Sequence, residues 1–152
     1  MPESLTEGQP LLTNQELSSI TSLTQKFQFI RKIGEGGMSN VFLALDIQRG
    51  RQVAVKVLKE HVKLNQEMSK RFSFEAKILN RSKHPSIVNL FDQYHSNTKL
   101  SYLIMEYLDG IQLHTVLADP SSLPLVNKII IFEQIISAVH FLHSLKIIHR
   151  DL

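Results

Sequence analysis

Cysteine is absent from the 152 residues. That excludes disulfides and thiolate metal sites, and a reducing, cytoplasmic setting accommodates it most simply. Positive charge is missing from the first 25 residues, where Glu3, Glu7 and Glu16 stand alone and Lys26 is the first cation. The start therefore lacks the basic n-region of a secretory signal, and no apolar h-region follows. Long hydrophobic runs are also scarce. The most apolar stretch, Ile129 to Leu145, is broken by Glu133, Gln134, Ser137, His140 and His143, and is expected to be too short to span a bilayer. No internal repeat is visible, and no Gly-Lys is followed by Ser or Thr, so a P-loop is excluded.

What remains is ordinary for one soluble globular domain: 43% apolar residues and a net charge of +3. Such a chain buries roughly two thirds of its unfolded surface. The charge is uneven, with ten Lys or Arg against three Glu between Arg49 and Lys83. A basic block can serve nucleic acid. Here Lys70, Lys77 and Arg81 fall on one side of an expected helix, so a solvated face is the simpler reading and no nucleic-acid partner is expected.

Along the chain, residues 1–25 are rich in Ser, Thr, Glu and Gln and read as a flexible leader, with a short helix near Asn14 to Ile20. From Phe27 the pattern alternates. Two strands, one through Phe27, Phe29 and Ile33 and the other through Val41, Leu43 and Leu45, flank Gly34-Glu35-Gly36-Gly37 as a hairpin. A third strand, Gln52 to Leu58, sets Val53, Val55 and Val57 on one face and Ala54, Lys56 and Leu58 on the other. A helix over Gln66 to Arg81 carries Met68, Phe72, Ala76 and Leu79 as its apolar stripe. Strands at Ile87 to Gln93 and Ser101 to Tyr107 flank a polar turn at His95 to Lys99. Helices at Gln112 to Leu117 and about Leu125 to Leu145 follow. The order is that of an α+β lobe, a five-stranded antiparallel sheet with one inserted helix, leading into a helical second lobe.

Three features point to chemistry. Glycines between strands leave N–H groups free to approach phosphate oxygens, although tight hairpins use glycine for its backbone freedom alone. The strand after them excludes a dinucleotide fold, which needs a helix there. Lys56 lies in the most apolar strand and Glu75 within the apolar arc of the helix. Each alone could be a snorkelling side chain. Together, with a glycine lid one strand away, they are expected to pair, since each charge facing the core needs the other. Ala54 leaves room on the same face for a flat base.

Taken with His149-Arg150-Asp151-Leu152, these residues resemble the protein kinase family from about Phe27 onward, in the manner of bacterial serine/threonine kinases of eukaryotic type. Ile33-Gly34-Glu35-Gly36-Gly37-Met38-Ser39-Asn40-Val41 is similar to the glycine-rich loop, with Ser39 in place of its third glycine. Val53-Ala54-Val55-Lys56 resembles the third strand with its ATP-binding lysine, and Glu75 the helix C glutamate. His84-Pro85-Ser86-Ile87-Val88 resembles the turn into strand four. Met105-Glu106-Tyr107-Leu108 resembles the gatekeeper and hinge, where backbone groups of Glu106 and Leu108 would hold adenine. Phe141-Leu142-His143-Ser144 resembles the end of helix E. The resemblance implies that Asp151 handles the substrate hydroxyl's proton and that Arg150 answers a phosphorylated activation loop.

It also implies a division into a leader at 1–25 and an incomplete kinase domain at 26–152, with an N-lobe to about residue 108. ATP, Mg²⁺ and a protein substrate are the implied partners. The magnesium-binding asparagine and Asp-Phe-Gly segment of the family would fall after Leu152, so no metal ligand is expected within these residues. His140, His143 and His149 could in principle share a metal, but no carboxylate or cysteine completes the set. The expected activity is transfer of the γ-phosphate of ATP to Ser or Thr, with the 152 residues inactive alone. A non-catalytic nucleotide- or partner-binding lobe and the remnant of an interrupted gene are the alternatives.

Overall fold

Alternating β-branched residues build the centre of the fold. In the computed structural model, which describes residues 20–63, 65–95, 101–119 and 123–148, β3 (Arg51–Leu58) lies in the middle of a five-stranded antiparallel sheet. The other strands are β1 (Phe27–Glu35), β2 (Ser39–Asp46), β4 (Leu90–Tyr94) and β5 (Tyr102–Glu106), in the order β1-β2-β3-β5-β4. Val53, Val55 and Val57 enter one buried cluster with Phe42, Ala44 and Ile104. Ala54 and Leu58 enter a second with Leu103, Met105, Phe72 and Ala76. One strand thus feeds two cores, because successive side chains point to opposite faces.

The second core is closed by α2 (Gln66–Arg81), preceded by a short α1 (Glu60–Lys63) that the periodicity did not suggest. Asn65 caps α2 by accepting hydrogen bonds from Glu67 N and Met68 N, both at 3.1 Å. Such a cap is worth about 1 kcal/mol. Phe72 and Ala76 face the sheet as expected and Leu79 packs beside them, but Ser69 is buried where Met68 was expected, and Met68 is exposed. Lys70, Lys77 and Arg81 are solvated.

The first core is covered from outside the sheet. A 3₁₀ turn, Thr21–Leu23, brings Ile20 and Leu23 onto Phe27, Val53 and Ile104, with Ile20 fully buried and Leu23 3% exposed. Ile20 and Leu23, which the sequence set within the leader, thus belong to the packed core. The rest of the expected helix at Asn14 to Ile20, and the turn residues 96–99, lie outside the described residues.

Beyond β5 come α3 (Leu113–Leu117) and α4 (Leu125–Ser144). With 20 residues and a mean hydropathy of 1.5, α4 is long and apolar enough to cross a membrane, contrary to the expectation of a stretch too short. That expectation began the run at Ile129, after Lys128, whereas the helix begins a turn earlier, beyond Pro124. Glu133, Gln134, His140 and His143 along it would be costly in hydrocarbon, and a helix apolar nearly all round is equally suited to protein neighbours on most sides.

His84 joins α4 to the turn between α2 and β4. Ser86 N donates to His84 Nδ1 at 3.1 Å, so Nε2 carries the proton and donates to Ser137 Oγ at 3.1 Å, while the ring packs on Phe141. The helix ends in a Schellman turn: Ile147 N donates to Leu142 O and Lys146 N to His143 O, both at 2.9 Å. Lys146 takes the left-handed conformation there, with φ 62°.

Candidate functional site

Register places the site. Val41 of β2 lies opposite Lys56 of β3, and Leu103 of β5 flanks Lys56 on the other side. Lys56 therefore sits at the sheet's centre on the face that α2 covers, and Glu75 approaches from the third turn of α2. Lys56 Nζ lies 2.6 Å from Glu75 Oε1 and 2.8 Å from Oε2. The two side chains are 19% and 35% exposed, so the pair is half-buried and keeps water on one side. The sequence expected the two to meet, and they do.

The hairpin between β1 and β2 turns over Gly36 and Gly37, where Gly36 N donates to Ser39 O at 2.9 Å. A methyl group added at Gly37 would meet nothing within 4 Å, and one at Gly36 would meet only Ser39 O at 3.8 Å. The space over the turn is open to a ligand. Glu35 fastens the turn, its carboxylate reaching Lys59 Nζ at 2.7 Å and Lys32 Nζ at 3.0 Å. These hydrogen bonds, from Lys59 first and Lys32 second, hold the Glu35 carboxyl at about 2, well below its usual 4.5. Lys59 N also donates to Met38 O at 2.9 Å. Lys59 was not singled out in the sequence, yet counting outward from a Lys56–Val41 pairing would have set it opposite Met38.

Ile33, Met38 and Val41 pack, partly buried, against the cluster that holds Ala54 and Met105. Four of the expected cofactor-binding residues, Ile33, Val41, Ala54 and Met105, thus share one apolar group. Ser39 is buried and Asn40 half-buried at the start of β2; Gly34 lies in β1, its α-carbon facing the side chain of Val41. Glu106 ends β5 half-buried, and Leu108 is exposed at 65% just beyond. Asn89, unremarked in the sequence, holds Glu106: Asn89 Nδ2 donates to Glu106 Oε2 at 2.8 Å, and Glu106 N donates to Asn89 O at 2.9 Å. His149, Arg150 and Asp151 lie outside the described residues.

A cleft of about 1320 Å³ opens beside the ion pair, bordered by Glu75, Leu79, Met105 and Leu108 on one side and Ile135 and Leu142 of α4 on the other. Among the described residues no group of three or more His, Cys, Asp or Glu side chains is gathered to hold a metal ion. The described part of the site is therefore one cation, an open glycine turn and an apolar slot. Together they suit a polyanion carrying a flat apolar group.

Comparison with known proteins agrees. The protein kinase domain profile matches residues 27–152. The chain is 35% identical over 130 residues to the serine/threonine-protein kinase PrkC of Bacillus subtilis, covering 86% of this chain and 20% of that protein. It is 36% identical over 126 residues to Pkn1 of Myxococcus xanthus, covering 83% of this chain and 18% of that protein. With PknB of Mycobacterium leprae the identity is 36% over 133 residues, 86% of this chain and 21% of that protein. The chain thus spans about a fifth of the length of these relatives. A match that runs from the first strand through the glycine turn, the paired lysine and glutamate and on to the His-Arg-Asp-Leu sequence settles the lineage: the chain belongs to the protein kinase family.

Proposed function

We propose that residues 20–152 form the ATP-binding part of a serine/threonine protein kinase. The observation that carries the proposal is the Lys56–Glu75 pair, held under an open glycine turn and beside the slot of Ile33, Val41, Ala54 and Met105. Lys56, oriented by Glu75, presents its ammonium to phosphate oxygens. The apolar slot takes the adenine ring, and the backbone from Glu106 to Leu108 supplies its hydrogen bonds. Gly36 and Gly37 let the main chain close over the triphosphate. Asp151 would orient the hydroxyl of a protein substrate, and the similarity to the serine/threonine-protein kinases PrkC, Pkn1 and PknB supports Ser or Thr as its source.

Magnesium is a separate matter. Magnesium held through a triphosphate needs only one or two protein carboxylates, and the acidic group beside Lys56, Glu75, is taken up by that lysine. The family's catalytic-loop asparagine and Asp-Phe-Gly segment have no counterpart in residues 1–152. The 152 residues by themselves are therefore expected to bind ATP without transferring phosphate. Isothermal titration with ATP and a radiolabel transfer assay on a generic protein substrate test both halves. Binding without transfer supports the proposal. Absence of binding refutes the site, and measurable transfer refutes the assignment of the metal-binding step to residues beyond these.

A further inference from the structure

Glu106 is the last residue of β5, and from Tyr107 to Gln112 the chain runs without regular structure to α3. Whatever fixes Glu106 therefore sets the course of the backbone that follows it. The ladder between β4 and β5 is irregular at that end, with a register shift between Leu90 and Asp92 where Phe91 turns out beneath the Arg51 guanidinium. Ladder bonds alone hold this corner poorly.

Asn89 closes it. The residue precedes β4 and stands opposite Glu106, beyond the last regular pair, Leu90 with Met105. Its main-chain oxygen accepts from Glu106 N at 2.9 Å. Its side-chain Nδ2 and main-chain N both donate to Glu106 Oε2, at 2.8 and 3.3 Å. Main chain and side chain of the hinge residue are thus gripped by one neighbour seventeen positions earlier. A carboxylate that receives two donors cannot swing freely, and its Cα and carbonyl are constrained with it.

We propose that Asn89 is a positioning residue for base selection: by clamping Glu106 it orients the hinge backbone that tells adenine from guanine. This inference rests on the reading of Met105 to Leu108 as the adenine-binding segment. Adenine and guanine present opposite donor and acceptor patterns at the same ring edge, so discrimination depends on where fixed backbone groups point. The phosphates, bound at Lys56 and the glycine turn, are indifferent to it.

Affinities of the 152-residue chain for ATP, GTP and inorganic tripolyphosphate separate the outcomes. The wild type is expected to prefer ATP to GTP. Asn89→Ala is expected to weaken ATP by about tenfold, the loss of a hydrogen bond to a charged group, and to bring the ATP-to-GTP ratio toward one. Tripolyphosphate binding should not change. Glu106→Ala, which removes the same Nδ2–Oε2 bond together with the longer one from Asn89 N, should weaken ATP at least as much, and the double variant should be no worse than Glu106→Ala. Asn89→Ser, which like Asn89→Ala keeps both main-chain contacts and removes Nδ2, carries the same comparison should Asn89→Ala melt below the assay temperature. Equal weakening of all three ligands, or an unchanged ATP-to-GTP ratio, overturns the proposal. A wild type that binds ATP and GTP equally also overturns it while leaving the nucleotide site standing. A wild type that binds neither nucleotide refutes the site reading itself.

Discussion

Lys56 Nζ sits within 2.8 Å of both carboxylate oxygens of Glu75, across nineteen residues and the gap between sheet and helix. The contact is bidentate and half-shielded, so it fixes the position of α2 as well as the direction of the ammonium. Glu75→Gln keeps the shape and removes the charge. With Glu75 a third exposed, the cost to folding should be small, about 1 kcal/mol. The cost to nucleotide affinity should be larger, about tenfold, since the ammonium loses its orienting partner. Chemical denaturation and ATP titration of the same variant check the two figures against each other.

Acid should weaken the fold through Asp46. Its side chain is 4% exposed, and burial by itself would raise its carboxyl. The hydrogen bonds from Arg49 Nη1 and Arg49 N, both at 3.1 Å, outweigh that and hold it below its ordinary 3.8. A carboxyl depressed in the folded state stabilises at pH above its unfolded value, and the stability disappears as pH falls from there through the folded value. Urea midpoints should thus decline below about pH 4. Asp46→Asn should cost about 2 kcal/mol at pH 7 and flatten part of that decline. Exposed Glu35 offers a spectroscopic check: its carboxyl should titrate near 2, and Lys59→Met should move it up toward 4.5.

Ile20 precedes the matched domain yet is fully buried on the outer face of the sheet. Ile20→Ala should cost about 3 kcal/mol in chemical denaturation, the usual loss for a large buried side chain. A cost under about 0.5 kcal/mol would return the segment to a surface role.

The last turn of α4 offers a gain. Lys146 holds φ 62°, a conformation that strains any residue with a Cβ by about 1 kcal/mol or more. Glycine removes the strain but has more freedom to lose on folding. Lys146→Gly should raise stability by about 0.5 kcal/mol in urea denaturation, and a fall would show that the lysine side chain has an unseen partner.

Much of this was legible beforehand because it follows from period. Three valines and an alanine, lysine and leucine alternating through β3 dictate its two faces, and a lysine on an apolar face calls for a carboxylate. The bounds of α2 followed from its stripe. The rotation of that stripe was not legible, since Met68 and Ser69 differ by one step and only the packing of α2 beside β4 and His95, whose Nε2 lies 3.5 Å from Ser69 Oγ, selects the serine. Ile20 and Leu23 gave no signal: a single 3₁₀ turn is too short to show a period. Lys59 and Asn89 were hidden for a related reason. Each acts across the sheet, on Glu35 and Glu106, and cross-strand partners are fixed by register, which one sequence displays only weakly.

Lys56 and Glu75 are proposed above as the phosphate-holding element of a folded nucleotide site. Thermal denaturation of the purified chain with and without ATP, alongside Lys56→Met, tests it most directly. At ATP a hundredfold above Kd, a ligand that binds only the native state adds about 2.7 kcal/mol. A rise in Tm is expected for the wild type with ATP and little or none for Lys56→Met, whose Tm without ATP stays close to that of the wild type. An equal rise in both proteins would contradict it.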